Sequence, residues 1–74
     1  MPDIKFEIVQ NIACLGTEKS GWAKELNYIS WNNGDPKYDI RAWSGDHTKM
    51  GKGITLTAAE LRALKDILSE MDIT

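Results

Sequence analysis

Apolar and polar residues alternate with a period of two along the first three quarters of the chain, and then take the spacing of an α-helix. Alternation predicts half-buried strands, whereas apolar residues three and four positions apart predict an amphipathic helix. Clusters of Gly, Asn, Asp and Ser separate these segments, as turns do. The pattern predicts strands at about 4–15, 22–32, 37–43 and 53–56, followed by a helix at about 58–71.

The first predicted strand changes phase along its length. Ile4, Phe6 and Ile8 alternate with more polar neighbours, but the segment Ile8–Leu15 is apolar with only two polar interruptions. One extra residue on a strand shifts the alternation in this way. We therefore expect a bend or a β-bulge within Ile8–Leu15.

The second predicted strand has two sides of similar polarity. One side carries Trp22, Lys24, Leu26, Tyr28 and Ser30, and the other carries Ala23, Glu25, Asn27, Ile29 and Trp31. The pattern does not decide which side faces inward, although its parity places Trp31 in the core rather than in a binding site. The segment Asn33–Pro36 predicts the next turn, because an Asn-Gly pair suits positive φ angles and proline closes the loop.

The third predicted strand has a clear division between its two sides. Tyr38, Ile40 and Ala42 lie on one side, and Lys37, Asp39, Arg41 and Trp43 lie on the other. The first set suits a core. The second set places a guanidinium and an indole on the same polar side, which is the combination that a single-stranded nucleic-acid platform uses to hold phosphates and stack bases.

A similar aromatic and cationic pair, Trp22 and Lys24, shares one side of the second strand. If the two strands are neighbours, these residues form one continuous track with Arg41 and Trp43. Two alternatives stay open at this point. Trp43 can pack in a dimer core, and Arg41 can pair with Asp39 or with Glu25 on the neighbouring strand.

The end of the chain predicts a capped helix. Thr57 is followed three positions later by Glu60, which is the spacing of a capping box. Apolar residues then recur on one helical face, namely Leu61, Leu64, Leu68 and Met71. This helix can cover one face of the sheet and leaves the other face open to a ligand, a partner or water.

The chain of 74 residues predicts one domain over 1–74, of the α+β class, with the order β-β-β-β-α in an antiparallel sheet. A core of this size is marginal without a metal, disulfides or a second subunit. The single cysteine cannot form an internal disulfide, and one cysteine with one histidine cannot complete a tetrahedral zinc site. We therefore expect oligomerisation and no cofactor.

The composition predicts a non-enzymatic cytoplasmic protein, with nucleoid association as a further location. No apolar run approaches the length of a membrane span, and the N-terminus has no signal-peptide pattern. No acid–base or metal-binding set of residues is present, and His47 is expected to fix its loop together with Asp46 rather than to catalyse a reaction.

The net charge of −2 does not favour nucleic-acid binding by itself. The segment Lys37–Gly53 is nevertheless locally basic, since four cations oppose two acidic residues there. A basic sheet end on an acidic molecule can bind phosphates with modest, salt-sensitive affinity.

Several segments together resemble the positive cofactor four family of transcriptional coactivators, and most closely its small bacterial YdbC-like members. They are WAKELNYISWN at Trp22–Asn32, PKYDIRAWS at Pro36–Ser44, Asp46-His47, and KMGKGITLT at Lys49–Thr57. The resemblance covers roughly Phe6 to Leu68. It implies a homodimer with a curved four-stranded antiparallel sheet and one helix, which binds single-stranded DNA with little sequence preference. The resemblance does not extend to the long N-terminal region of the eukaryotic coactivator, so we do not expect coactivation to carry over.

The residues and the resemblance together predict a nucleic-acid site on the sheet. Its candidate members are Trp22, Lys24, Tyr28, Lys37, Arg41, Trp43, Lys49 and Lys52. Among the basic residues, Lys52 matches the lysine of the family's Lys-Gly-Ile segment. The expected partner is single-stranded DNA, with single-stranded RNA, or a protein that binds the tryptophans, as the alternatives.

Overall fold

The computed structural model describes residues 5–73, which form one antiparallel sheet and one helix. The elements are β1 Phe6–Thr17, β2 Ala23–Trp31, β3 Lys37–Trp43, β4 Met50–Leu56 and α1 Ala58–Glu70. The strands lie side by side in the order β1-β2-β3-β4. The curved open sheet followed by one C-terminal helix confirms the predicted fold class.

The element bounds agree with the prediction wherever the signal is local. β3 has the predicted bounds, and β2 and α1 end close to theirs. β4 begins at Met50 rather than Gly53, so the preceding loop is shorter than predicted. β1 continues to Thr17, while its predicted start at Ile4 lies outside the described residues.

The phase change in β1 is confirmed as a series of bulges. Its register with β2 shifts between Ile8 and Gln10, between Asn11 and Ala13, and between Cys14 and Gly16. Bulges increase the local bend and twist of a strand. β1 therefore follows the curvature of the sheet over its 12 residues.

The turn between β2 and β3 lies one position earlier than the sequence suggests. Asn32 and Asn33 have positive φ angles of 51° and 62°, and the N–H of Gly34 donates to the carbonyl of Trp31 at 2.8 Å. The expected positive φ angle is confirmed at Asn33, but the expectation is wrong for Gly34, because Asn32 takes the other positive φ angle. Asparagine tolerates this region well, so the Asn-Asn pair forms the tight hairpin turn.

Strand pairing assigns the side chains to two faces, because directly opposed residues in an antiparallel pair share a face. Leu26 opposes Ile40, and Tyr28 opposes Tyr38; these residues line cavities together with residues of α1. We call this the helix-side face. The other face contains the pairs Glu25–Arg41, Asn27–Asp39 and Ala23–Trp43, and we call it the helix-free face.

β4 approaches β3 unusually closely at Gly53. A Cβ atom at this position would overlap the Arg41 Cβ and the carbonyl oxygen of Ile40. Next to this contact, the pairs Arg41–Gly53 and Trp43–Met50 leave two residues of β4 opposite one residue of β3, which is a β-bulge. The glycine is therefore required for strand packing.

The helix is well capped but poorly buried. Thr57 accepts a hydrogen bond from the Glu60 N–H, and the Glu60 side chain accepts one from the Thr57 N–H, which confirms the capping box. No residue of α1 is buried, and Ile67 and Met71 are 56% and 52% exposed. Within residues 5–73, no helix is long and apolar enough to cross a membrane.

Candidate nucleic-acid interface

The predicted track from Trp22 and Lys24 to Arg41 and Trp43 is wrong. The register places Lys24 opposite Ala42 on the helix-side face, while Arg41 lies opposite Glu25 on the helix-free face. Trp22 also lies on the helix-side face, because its ring is within 3.7 Å of the position a Cβ would take at Gly51, beside Ala42. The parity of each strand was predicted correctly, but sequence alone did not supply the register that relates one strand to the next.

Trp43 is buried on the helix-free face rather than exposed for stacking. Its side chain is 0% exposed. The ring of Phe6 on β1 lies 5.2 Å away, and the ring of His47 lies 5.7 Å away. The expectation that Trp43 offers a free face is wrong, because an aromatic residue from β1 and a histidine from the β3–β4 loop cover it.

The loop that carries His47 is held by its own side chains. Asp46 Oδ1 accepts hydrogen bonds from Ser44 Oγ at 2.8 Å, from Thr48 Oγ1 at 2.7 Å and from the Thr48 N–H at 3.1 Å. The bonds from Thr48, followed by that from Ser44, lower the pKa of Asp46 to about 2. His47 takes a φ of 60°, in the left-handed region, next to this anchor.

The ring of His47 is fixed on a buried carboxylate. His47 Nε2 lies 3.0 Å from both carboxylate oxygens of Glu25, on β2. Asn27 and Asn11 also donate to Glu25 Oε1, at 3.1 and 2.9 Å. Burial by itself raises the pKa of Glu25, but the bonds from Asn27, His47 and Asn11 outweigh burial, so that the pKa is lowered. The carboxylate is thus satisfied although only 7% of the residue is exposed.

Arg41 forms a second ion pair on the same face. Its Nε and one terminal nitrogen donate to the two oxygens of Asp39 at 2.7 and 2.8 Å. Asp39 is 0% exposed, and Thr55 Oγ1 donates a further bond to it at 3.1 Å. Of the two pairings left open for Arg41, the one with Asp39 is confirmed, while Glu25 is occupied by His47. The guanidinium is therefore fixed in one plane.

The Arg41 guanidinium covers part of Trp31, a residue that the sequence pattern placed in the core. The Arg41 Cζ lies 4.8 Å from the centroid of the Trp31 ring, a cation–π distance. The Phe6 ring lies 6.0 Å away on a tilted plane. Trp31 is half-buried on the helix-free face and lines a cavity there, so part of the residue is accessible. Its Nε1 is buried and has no hydrogen-bond partner among residues 5–73. Only the register could have revealed this, since Trp31 has the parity of Asn27 and Glu25.

The remaining predicted residues lie in three parts of the structure. Tyr28 packs on Tyr38 at 4.8 Å on the helix-side face, where Lys24 is also exposed. Lys37 opposes Ile29 on the helix-free face, and it also lines the cavity beside the start of α1. Lys49 and Lys52 are exposed, at the end of the β3–β4 loop and at the bulge of β4. The structure therefore brings Lys37 and Arg41 together on one face, adds Trp31, and separates them from Trp22, Lys24 and Tyr28.

Comparison with known proteins gives two findings. The sequence model of the family Transcriptional Coactivator p15 (PC4) matches residues 18–67, which include β2, β3, β4 and most of α1. An uncharacterized protein of Treponema pallidum (strain Nichols) is 52% identical over 71 residues, covering 96% of this chain and 84% of that protein. Members of the matched family typically bind single-stranded DNA. The chain belongs to the Transcriptional Coactivator p15 (PC4) family.

Proposed function

We propose that this chain binds single-stranded DNA, with little overall sequence preference, on the helix-free face of its sheet. The observation that carries the proposal is the accessible indole of Trp31 with the guanidinium of Arg41 fixed 4.8 Å from its ring. Flat aromatic and guanidinium surfaces stack on any base, because every base has a π-face. The family match supports the same function.

Arg41 is better suited to stacking than to neutralising a phosphate. Its charge is already paired with Asp39 through two hydrogen bonds. The pairing holds the guanidinium plane in place, so stacking of a base on it costs little additional side-chain entropy of Arg41. Phosphates are instead expected to meet the exposed ammonium groups of Lys37, Lys49 and Lys52.

The helix-free face carries acidic as well as basic side chains, so a modest affinity is expected. Glu25 and Asp39 lie on it. Asp39 is fully buried and paired with Arg41, and Glu25 is buried and accepts bonds from Asn27, His47 and Asn11, so both carboxylates are shielded from the strand. With about four to six phosphates neutralised per dimer, the slope of log K against log salt is expected to be roughly −3 to −4. Binding should therefore weaken strongly between low and moderate salt.

The same proposal includes a homodimer formed through the helix-side face. A groove of about 400 Å³ between sheet and helix is lined by Leu26, Ile40, Leu61, Leu64 and Leu68, among others. Around it, Leu15 and Ile54 are 58% and 55% exposed. A single chain of this size leaves much apolar surface uncovered, and a second copy would cover it.

The test is a fluorescence-anisotropy titration of labelled oligo-dT with the wild-type chain and two tryptophan variants. Trp31→Ala should weaken binding by about 1–3 kcal/mol, the usual value of one stacked base. Trp22→Ala removes an equally half-buried tryptophan from the other face and should leave the affinity almost unchanged.

Each control in this titration addresses one alternative. Unlabelled RNA of the same length reports on the preference for the sugar, and duplex DNA reports on strandedness. Binding that is insensitive to salt would favour a protein partner for this face. Equal losses in the two tryptophan variants, or a loss in Trp22→Ala alone, would contradict the proposed interface.

A further inference from the structure

A cavity of about 500 Å³ opens beside Trp31, at the hairpin turn between β2 and β3. Its lining comprises Trp31, Gly34, Asp35, Lys37 and Thr55. This volume is within the range of pockets that hold small ligands. One wall is therefore an indole that can stack, and the rim carries both a carboxylate and an ammonium group.

The two charges on the rim are available to a ligand. Both side chains belong to exposed residues. The ion pairs found within residues 5–73 join Arg41 to Asp39 and His47 to Glu25, and neither involves Asp35 or Lys37. Hydrogen bonds from Thr57 lower the pKa of Glu60, and the Lys37 ammonium lies near enough to help lower it, but it is not paired with that carboxyl. Thr55 donates its hydroxyl proton to Asp39, which leaves its oxygen as an acceptor. An acceptor and a donor with unused capacity thus lie next to a stacking surface.

A carboxylate distinguishes the four DNA bases by their donors. An ionised aspartate is only an acceptor, and its two oxygens can receive two parallel N–H bonds. Guanine presents two adjacent donors, N1–H and N2–H, on its Watson–Crick edge. Thymine, cytosine and adenine each place an acceptor beside their donor there. The neighbouring O6 and N7 of guanine are acceptors that a lysine ammonium can reach.

We propose that this cavity is a guanine-preferring subsite of the single-stranded DNA interface. Guanine stacks on Trp31, donates N1–H and N2–H to the Asp35 carboxylate, and accepts from Lys37. The inference rests on the proposed function, since a base reaches the cavity only if the strand follows the helix-free face. The rest of the strand is bound without preference, and one position per chain selects its base.

The experiment compares four strands that differ at one central position of an otherwise all-dT 12-mer: dT, dA, dG and deoxyinosine. Deoxyinosine is the decisive probe, because its base keeps N1–H, O6 and the stacking surface of guanine but lacks the N2 amino group. The wild-type chain should bind the dG strand about fivefold to 20-fold more tightly than the all-dT strand, the low part of the range for a bidentate base contact. The deoxyinosine strand should lose most of that advantage.

Two variants that each remove one negative charge show which residue causes the preference for guanine. Asp35→Asn should bind the dG and deoxyinosine strands equally, while its affinity for all-dT does not fall. Asp66→Asn removes the same charge from an exposed position of α1 and should keep the wild-type preference. Equal binding of dG and deoxyinosine by the wild type, or a preference that survives Asp35→Asn, would overturn the subsite alone. Failure to bind any of the four strands at low salt would overturn the proposed function itself.

Discussion

The two faces of the sheet differ in a way that their polarity does not suggest. The helix-side face carries Leu26 and Ile40, yet these apolar residues are only half-buried and the helix over them has no buried residue. The helix-free face carries carboxylates, amides and aromatic rings, and its central side chains, Trp43, Ile29, Asn27 and Asp39, are fully buried. The centre of the polar face is packed within one chain, whereas the apolar face is left uncovered for the second copy that we propose.

The buried carboxylates of the helix-free face are satisfied by bonds within their own strands, from neighbouring strands and from the β3–β4 loop. Burying a charge is costly unless it is paired and hydrogen-bonded. Here Asp39 is bound by Arg41 and Thr55, and Glu25 is bound by His47, Asn27 and Asn11. Each carboxylate in turn fixes a group that covers one tryptophan, so the polar network sets the shape of the aromatic surface.

The variant with the largest expected effect disrupts the apolar groove of the helix-side face. Leu64→Glu places a charge in the apolar groove beneath α1, where the proposed second copy would bury it. We expect the dimer to dissociate into monomers, as measured by sedimentation velocity over a range of concentrations. Ala63→Glu adds the same charge at an exposed position one residue earlier and should remain dimeric. A wild-type chain that is monomeric at all concentrations would contradict this assignment of the helix-side face.

The variant with the next largest expected effect removes the Arg41–Asp39 ion pair of the helix-free face. Arg41→Ala leaves the Asp39 carboxylate buried without its main partner, and we expect a loss of about 3 kcal/mol in the free energy of unfolding. Urea denaturation measures this. The double variant Asp39→Asn, Arg41→Met removes both charges and should be less destabilised than Arg41→Ala. Lys37→Ala, an exposed cation on the same face, should change stability by less than about 0.5 kcal/mol.

The smallest effect concerns the pH dependence of the Glu25 network. The pKa of Glu25 is lowered from 4.5 in the folded chain, so its charged form contributes stability above about pH 4.5. That contribution should be lost as the pH falls through the folded pKa. In Glu25→Gln, the free energy of unfolding should fall less steeply below pH 4.5 than in the wild type. Glu7→Gln, at an exposed position on β1, is the matched control and should retain the wild-type slope. An unchanged slope in Glu25→Gln would show that the Glu25 network does not contribute to the loss of stability at low pH.

Local features of the chain were predictable from its sequence. The alternation in Lys37–Trp43 and the Thr57–Glu60 capping box depend on neighbours a few positions apart, and both are found in the structure as predicted. The bulged phase of β1 was visible for the same reason. These features suffice for the fold class, because they define the number, type and order of the elements.

The candidate site was harder to predict, since it depends on contacts between distant positions. His47 binds Glu25 across a separation of 22 residues, and Asn11 reaches Asn27 across 16. Both sides of β2 mix polar and apolar residues, so parity alone placed Trp22 and Lys24 in the site and left Trp31 out. The register determines which side chains of β2 share a face with Arg41, because Glu25 opposes Arg41 whereas Lys24 opposes Ala42.

The three tryptophans of the chain provide a direct test, because each reports on a different environment. Trp31 is accessible on the helix-free face, Trp43 is buried beneath His47, and Trp22 lies on the helix-side face. The measurement is an NMR titration that follows the three indole N–H signals of the wild-type chain as oligo-dT is added at low salt. We expect the largest shift for Trp31 and almost none for Trp22. A large shift for Trp22 with Trp31 unmoved would contradict the assignment of nucleic-acid binding to the helix-free face.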